Sequence, residues 1–138
     1  MTDKYLQSRI REGVAAALGT TTLGWQTYTP TVTASASGTL ATVTATGQYQ
    51  ELNGMVYGHA TITVTDIGTG TGTIKFTLPT NIISTWNHVG TYRESNAVGT
   101  LGSLTRSGTN AVTIARYDNT ASMASGLIYQ CLFMYRKA

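Results

Sequence analysis

Between Val56 and Val64 the chain alternates without a break. Val56, Gly58, Ala60, Ile62 and Val64 hold one parity; Tyr57, His59, Thr61 and Thr63 hold the other. Successive side chains of an extended chain point to opposite faces, so this segment reads as a strand with one apolar and one polar face. A helix would scatter the same residues around its axis. The flanking residues agree. Glu51-Leu52-Asn53-Gly54 reads as a tight turn, because Asn-Gly supplies the positive φ that a two-residue hairpin needs. Asp66-Ile67-Gly68-Thr69-Gly70-Thr71-Gly72 is too rich in glycine for regular structure and reads as a flexible hairpin loop. Ile74, Phe76 and Leu78 then resume the alternation until Pro79 ends it. Residues 47–78 are therefore expected to form a meander in a half-buried antiparallel sheet.

The composition extends that expectation to the rest of the chain. Threonine supplies 27 of 138 residues, and charged residues make up 11%, about half the usual share. β-branched threonine suits strands and its hydroxyl tolerates water, so the surface should be clad in hydroxyls rather than charges. Leu40–Thr46, with Ala41, Val43 and Ala45 on one face, Val89–Arg93 and Ala111–Tyr117 read as strands. Val112 and Ile114 point inward in the last of these, and Asp118-Asn119-Thr120 turns the chain after it. Trp25–Ala34 alternates weakly around Pro30, which cannot donate to a ladder, so an edge or irregular strand is expected. Residues 79–87 form a connection carrying Ile82, Ile83 and Trp86. Residues 95–108 show no pattern beyond Val98, Leu101 and Leu104.

Gly126–Arg136 differs from the other strands. Leu127, Tyr129, Cys131, Phe133 and Tyr135 fall on one face, and Ile128, Leu132 and Met134 on the other. A strand apolar on both faces needs cover on both. An oligomer interface through Ile128, Leu132 and Met134 is the economical cover; a helix from the same chain is the rival. Residues 3–18 supply the one helical pattern, with Thr2 as N-cap, Gly19 as a left-handed stop, and Leu6, Ile10, Val14 and Ala17 on one stripe. A helix this short is marginal alone in water and needs a partner. Gly19-Thr20-Thr21-Thr22 reads as a linker, which divides the chain into residues 1–19, a helical anchor or stem, and residues 20–138, a β-sandwich head.

Little in the chain points to chemistry. Cys131 stands alone, so no intrachain disulfide is available and a buried apolar role is expected. His59 and His88 have no ligand-forming neighbours at metal spacing. Glu51, Asp66, Glu94 and Asp118 lie in or beside predicted turns, without the pairing that glycoside hydrolysis requires. The Gly68-x-Gly70-x-Gly72 run lacks the Lys-Ser/Thr ending and following helix of a phosphate loop. The expectation is a non-enzyme without cofactor or metal. The nine basic residues form no stripe of the kind nucleic acid selects. No 18-residue apolar run is present, and Met1–Arg11 lacks the apolar core of a signal peptide, so synthesis in a cytoplasm is expected. Trp86, His88, Tyr92 and Arg93 are the candidate ligand-binding residues, since aromatic faces flanked by hydrogen-bonding groups suit sugar rings. The same residue types also fill protein contacts.

One resemblance adds to this reading. Trp25 followed by Tyr28-Thr29-Pro30-Thr31-Val32, then Gly47-x-Tyr49, Gly54-x-Val56 and Ile74-x-Phe76-x-Leu78-Pro79, resembles small β-domains of bacteriophage structural proteins over about residues 24–136. Those domains are tail-fibre heads, receptor-binding tips and head spikes. The resemblance implies an all-β, jelly-roll-like antiparallel β-sandwich with a short N-terminal α-helix, assembled as a homotrimer. It implies a structural component of a tailed-phage virion, made in the host cytoplasm: a short trimeric fibre or spike that attaches to the host surface. Its partners would be other virion proteins, met through the helix, and a host-surface glycan. The alternative is a capsid decoration or cement protein that stabilises the phage head, and a more distant one is a carbohydrate-binding module. The resemblance carries across no catalytic or ligand residues.

Overall fold

The structure, a computed structural model, describes Gln7 and residues 22–97, 99–121 and 123–138. The helix expected over residues 3–18, with Leu6, Ile10, Val14 and Ala17, lies outside the described residues. Among the described residues nine strands are formed: β1 (Thr22–Tyr28), β2 (Val32–Ala34), β3 (Thr42–Leu52), β4 (Met55–Asp66), β5 (Ile74–Thr77), β6 (His88–Glu94), β7 (Leu101–Arg106), β8 (Ala111–Arg116) and β9 (Leu127–Arg136). All pair antiparallel in one continuous sheet, in the order β1-β3-β4-β9-β6-β7-β8-β5-β2. The all-β expectation holds. The ladder is unbroken, however, where a sandwich of two sheets was expected.

Chain connectivity forces that sheet to curl. β1 and β2 are its two opposite edges, yet only Thr29, Pro30 and Thr31 separate them in sequence. Laid flat, nine strands would hold their edges about 38 Å apart. Three intervening residues span about 15 Å at most. The sheet must therefore roll up until its edges approach each other. Pro30 is buried at that junction, where the missing N–H costs no ladder bond.

Curling gives the sheet an inner and an outer face. Val56, Ile62 and Val64 of β4, Ile74 and Phe76 of β5, Leu104 of β7, Ile114 of β8, and Tyr129 and Tyr135 of β9 all point inward and are fully buried in one core. The alternation of residues 56–64 is reproduced: even positions are buried and odd ones are exposed or half-buried. Asn53 and Gly54 have positive φ, 51° and 76°, and close the β3–β4 hairpin on the Leu52–Met55 pair.

Three details of the expected meander are corrected. Glu51 and Leu52 belong to β3 rather than to the turn. β3 also continues through Gly47, because that inward position lies under the Tyr28 ring and a Cβ there would stand 2.3 Å from it. The loop from residue 66 to 73 is no hairpin, since β4 and β5 lie far apart in the strand order. It crosses an end of the curled sheet and is pinned to residues 35–39. Thr71 N–H donates to the Ser37 carbonyl at 2.8 Å, Ser35 N–H to the Thr73 carbonyl at 2.8 Å, and the Ser37 and Thr71 hydroxyls meet at 2.8 Å. β7 emerges from the stretch without a pattern; its inward positions include Gly102 and Leu104, and a glycine conceals the alternation.

Candidate functional site

The candidate site is the outer face of the central strands. β9 lies between β4 and β6, and register aligns their outward side chains in rows. One row runs Gln48–His59–Leu132–Thr91, the next Thr46–Thr61–Gln130–Arg93, and a third Gln50–Tyr57–Met134. Leu132 is 64% exposed and Met134 53%. Trp25, 55% exposed, reaches this face because β1 bulges between Thr22 and Gln26. Its indole lies 5.9 Å from the His59 ring, tilted by 54°.

Leu132 is a ridge between two shallow depressions. One is lined by Trp25, Tyr57, His59, Trp86, His88 and Met134. The other is lined by His59, Thr61, Thr91, Arg93, Leu101 and Gln130. Around them the outer positions are mostly hydroxylic: Thr42, Thr44 and Thr46 on β3 and Thr61, Thr63 and Thr65 on β4. The apolar patch thus interrupts a threonine surface at the centre of the sheet.

The structure unites two groups of residues that the sequence kept apart. Trp86, half-buried, and His88, exposed, share a depression with Met134 and Leu132. Arg93, exposed, lines the second depression. Ile128 is half-buried further along the outer face of β9. Tyr92 is the correction. Its side chain points inward and is only 2% exposed, edge-on to Tyr129 at a ring separation of 5.7 Å. It cannot stack on a ligand, because strand parity sends it to the face opposite Arg93. Trp25, Tyr57, His59, Leu101 and Gln130 were not anticipated. The alternation of β4 places Tyr57 and His59 on its polar face, but only the pairing of β4 with β9 reveals what stands beside them.

Among the described residues the four carboxylates have local roles. Glu94 is fully buried and accepts backbone N–H groups from Asn96 at 2.6 Å, Gly99 at 3.0 Å, Ala97 at 3.1 Å and Ile128 at 3.4 Å. It ties the β6–β7 connection to β9. Glu51 pairs with Lys137 at 3.2 Å. Asp66 accepts the Gly68 N–H at 2.9 Å. Asp118 accepts the hydroxyl and N–H of Thr120, which hold its carboxyl below the usual range. Among the described residues no three metal-ligating side chains converge. Cys131 is buried and its thiol is pushed up to about 12 by loss of solvent. The outer face offers contact groups: apolar area, aromatic edges, imidazoles and the guanidiniums of Arg93 and Arg136. Comparison with protein-family models, curated proteins and solved structures finds no match to the chain.

Proposed function

We propose that this chain is a structural component of a tailed-bacteriophage virion, the head of a short trimeric fibre or spike with a role in host-surface attachment. In this reading residues 20–138 are the head, jelly-roll-like, with the two halves of the curled sheet acting as the layers of a sandwich. Residues 1–19 are the helical anchor that docks on other virion proteins. The observation that carries the reading is the outer face of β4, β9 and β6. Leu132, Met134, Trp25 and Leu101 stand exposed there among very few charges. Exposed apolar patches of this kind on a soluble domain mark contact surfaces. Aromatic residues, methionine and arginine are the side chains enriched in protein contacts. The order of motifs over residues 24–136 supports the virion setting.

The test is immunogold labelling of phage particles assembled with the chain, followed by adsorption of particles carrying Trp86→Ala and His88→Ala. Label at the tail with reduced adsorption supports the reading. Label over the head, unchanged adsorption, and loss of heat resistance in particles lacking the chain would replace it with the cement role. Particles without label would exclude both.

A further inference from the structure

His59 is common to three depressions of the outer face. Two lie on either side of Leu132; the third is lined, with His59, by Thr27, Thr29, Thr46 and Gln48. Joined at His59, they cross the sheet from β1 through β3, β4 and β9 to β6, four strand spacings or about 19 Å. A trough of that length fits an extended chain better than one small molecule. Its lining is of two kinds. Trp25, Tyr57 and Trp86 offer aromatic surface, while Gln48, Thr61, Thr91 and Gln130 offer amides and hydroxyls. A sugar ring uses both, an apolar face to stack and hydroxyls at its edge to hydrogen-bond.

Charge narrows the class of sugar. Among the described residues no acidic side chain lines the three depressions; their charged or titratable groups are His59, His88, Arg93, Tyr28, Tyr57 and the inward Tyr92 and Cys131. Arg93 is exposed and makes no ion pair or side-chain hydrogen bond among the described residues. Register sets it beside Gln130, with Thr61 on the far side, so guanidinium, amide and hydroxyl stand in one row. The planar fork of a guanidinium matches the two oxygens of a carboxylate. The carboxylates of residues 22–138 are engaged elsewhere: Glu51 with Lys137, Glu94 with backbone amides, Asp66 and Asp118 within their own turns. A second copy of this face would bring further cations and no carboxylate, and like charges across a contact are unfavourable.

We propose that this trough binds an acidic polysaccharide, one whose sugar rings carry carboxylates. Rings stack on Trp25 and Trp86, ring hydroxyls bond to Gln48, Gln130 and the threonines, and Arg93 holds a carboxylate. The inference rests on the attachment reading for its biological role and gives that reading a ligand class; the binding itself is measured on the isolated chain.

The experiment is calorimetric titration of the full chain with a galacturonate oligomer, its methyl ester and a sulfated dextran. The oligomer should bind, and esterification, which removes the charge but keeps the rings, should weaken binding about tenfold or more. Arg93→Gln should reproduce that loss for the acid and leave the ester unchanged. Trp25→Ala should weaken both. Lys75→Gln, on β5 and three strands away from β6, should change neither. Arg93 and Trp25 are exposed, so the near-ultraviolet dichroism of the buried tyrosines should confirm that the variants fold. No binding of the acid, or equal affinity for acid and ester, would overturn the inference. So would equal losses in Arg93→Gln and Lys75→Gln, or tighter binding of the sulfated dextran, which would mean unselective attraction to anions. Conversion of an oligomer to monomers by Leu132→Asp would seat a second copy on the face and overturn it as well. Particles that adsorb undiminished to cells stripped of acidic polysaccharide would overturn the ligand class and leave attachment standing. Selective binding by a chain that labels no particle would support the trough and end the attachment reading.

Discussion

Glu94 shows how much one side chain can settle. A fully buried carboxylate is costly unless its oxygens are satisfied, and here backbone N–H groups of the β6–β7 connection and of Ile128 do so. Glu94→Ala should cost about 2–4 kcal/mol in urea unfolding, because it strands several buried donors; Glu94→Gln, which keeps the shape but loses the charge, should fall between. Titration gives a second prediction. Burial pushes the Cys131 thiol from 9.0 to about 12. It pushes the Tyr135 phenol from 10.0 to about 12, outweighing the hydrogen bonds with Thr80. Tyr28 is raised too, chiefly by burial. The folded state thus holds protons that the unfolded chain releases. Stability should be intact below about pH 9 and decline as pH rises from 9 towards 12, where both folded groups titrate. The slope should approach about 1.4 kcal/mol per pH unit for each group within its own window. Urea midpoints across pH 7–11, with Cys131→Ala flattening the early decline, would check this.

At the scale of elements, the central strands depend on small inward residues. Phe133 of β9 faces Gly58 of β4 on one side and Gly90 of β6 on the other. Tyr92 lies between Cys131 and Gly102. A curled sheet narrows its interior, so a large ring on one strand requires a neighbour without a side chain. A Cβ on Gly58 would meet the Gln48 carbonyl at 2.3 Å and the Phe133 ring at 2.6 Å. The ring could shift, but the backbone carbonyl is held in the β3–β4 ladder. Gly58→Val is expected to destabilise by at least about 2 kcal/mol, and Phe133→Leu should recover only the part due to the ring. Denaturation of the two single variants and the double variant measures both. β9 shows the opposite economy, since its outward Leu132 and Met134 contribute little to the core and leave the sheet's centre apolar on both sides.

At the scale of the molecule, one ladder and one core predict cooperative behaviour. Tryptophan fluorescence and far-ultraviolet dichroism should report a single coincident unfolding transition. Distinct midpoints would mean that the β5–β8 half of the sheet unfolds separately. Folding should be slow for this size, in the millisecond-to-second range. β1 and β2 are neighbours in sequence yet occupy opposite edges, and β9 must insert between β4 and β6. Stopped-flow refolding gives the rate, and a microsecond phase carrying the full amplitude would contradict that view. The C-terminal residues fasten onto the β3–β4 hairpin: Lys137 reaches Glu51 with its side chain and donates its N–H to the Gly54 carbonyl.

Some of this was legible in the residues alone, for physical reasons that differ from case to case. The alternation of residues 56–64, the Asn53-Gly54 turn, the inward Val112 and Ile114, and the two-faced last strand depend on side chains within a few residues of one another. Local sterics and the twofold period of a strand decide such features, so they could be read directly. β7 escaped because an inward Gly102 erases the period that marks a strand. Tyr92 was misassigned to the outside because the connection before it gives no parity; only its ladder with β9 and β7 fixes which face it takes. Strand order was beyond reach as well. The glycine-rich loop after Asp66 could have closed a hairpin, and what carries it across the sheet end is hydrogen bonding to Ser35 and Ser37, some thirty-odd residues earlier. The candidate site belongs to this second class. Trp25, His59, Trp86, Arg93 and Leu132 come from separate segments, and their shared face exists because long-range pairing places β9 between β4 and β6.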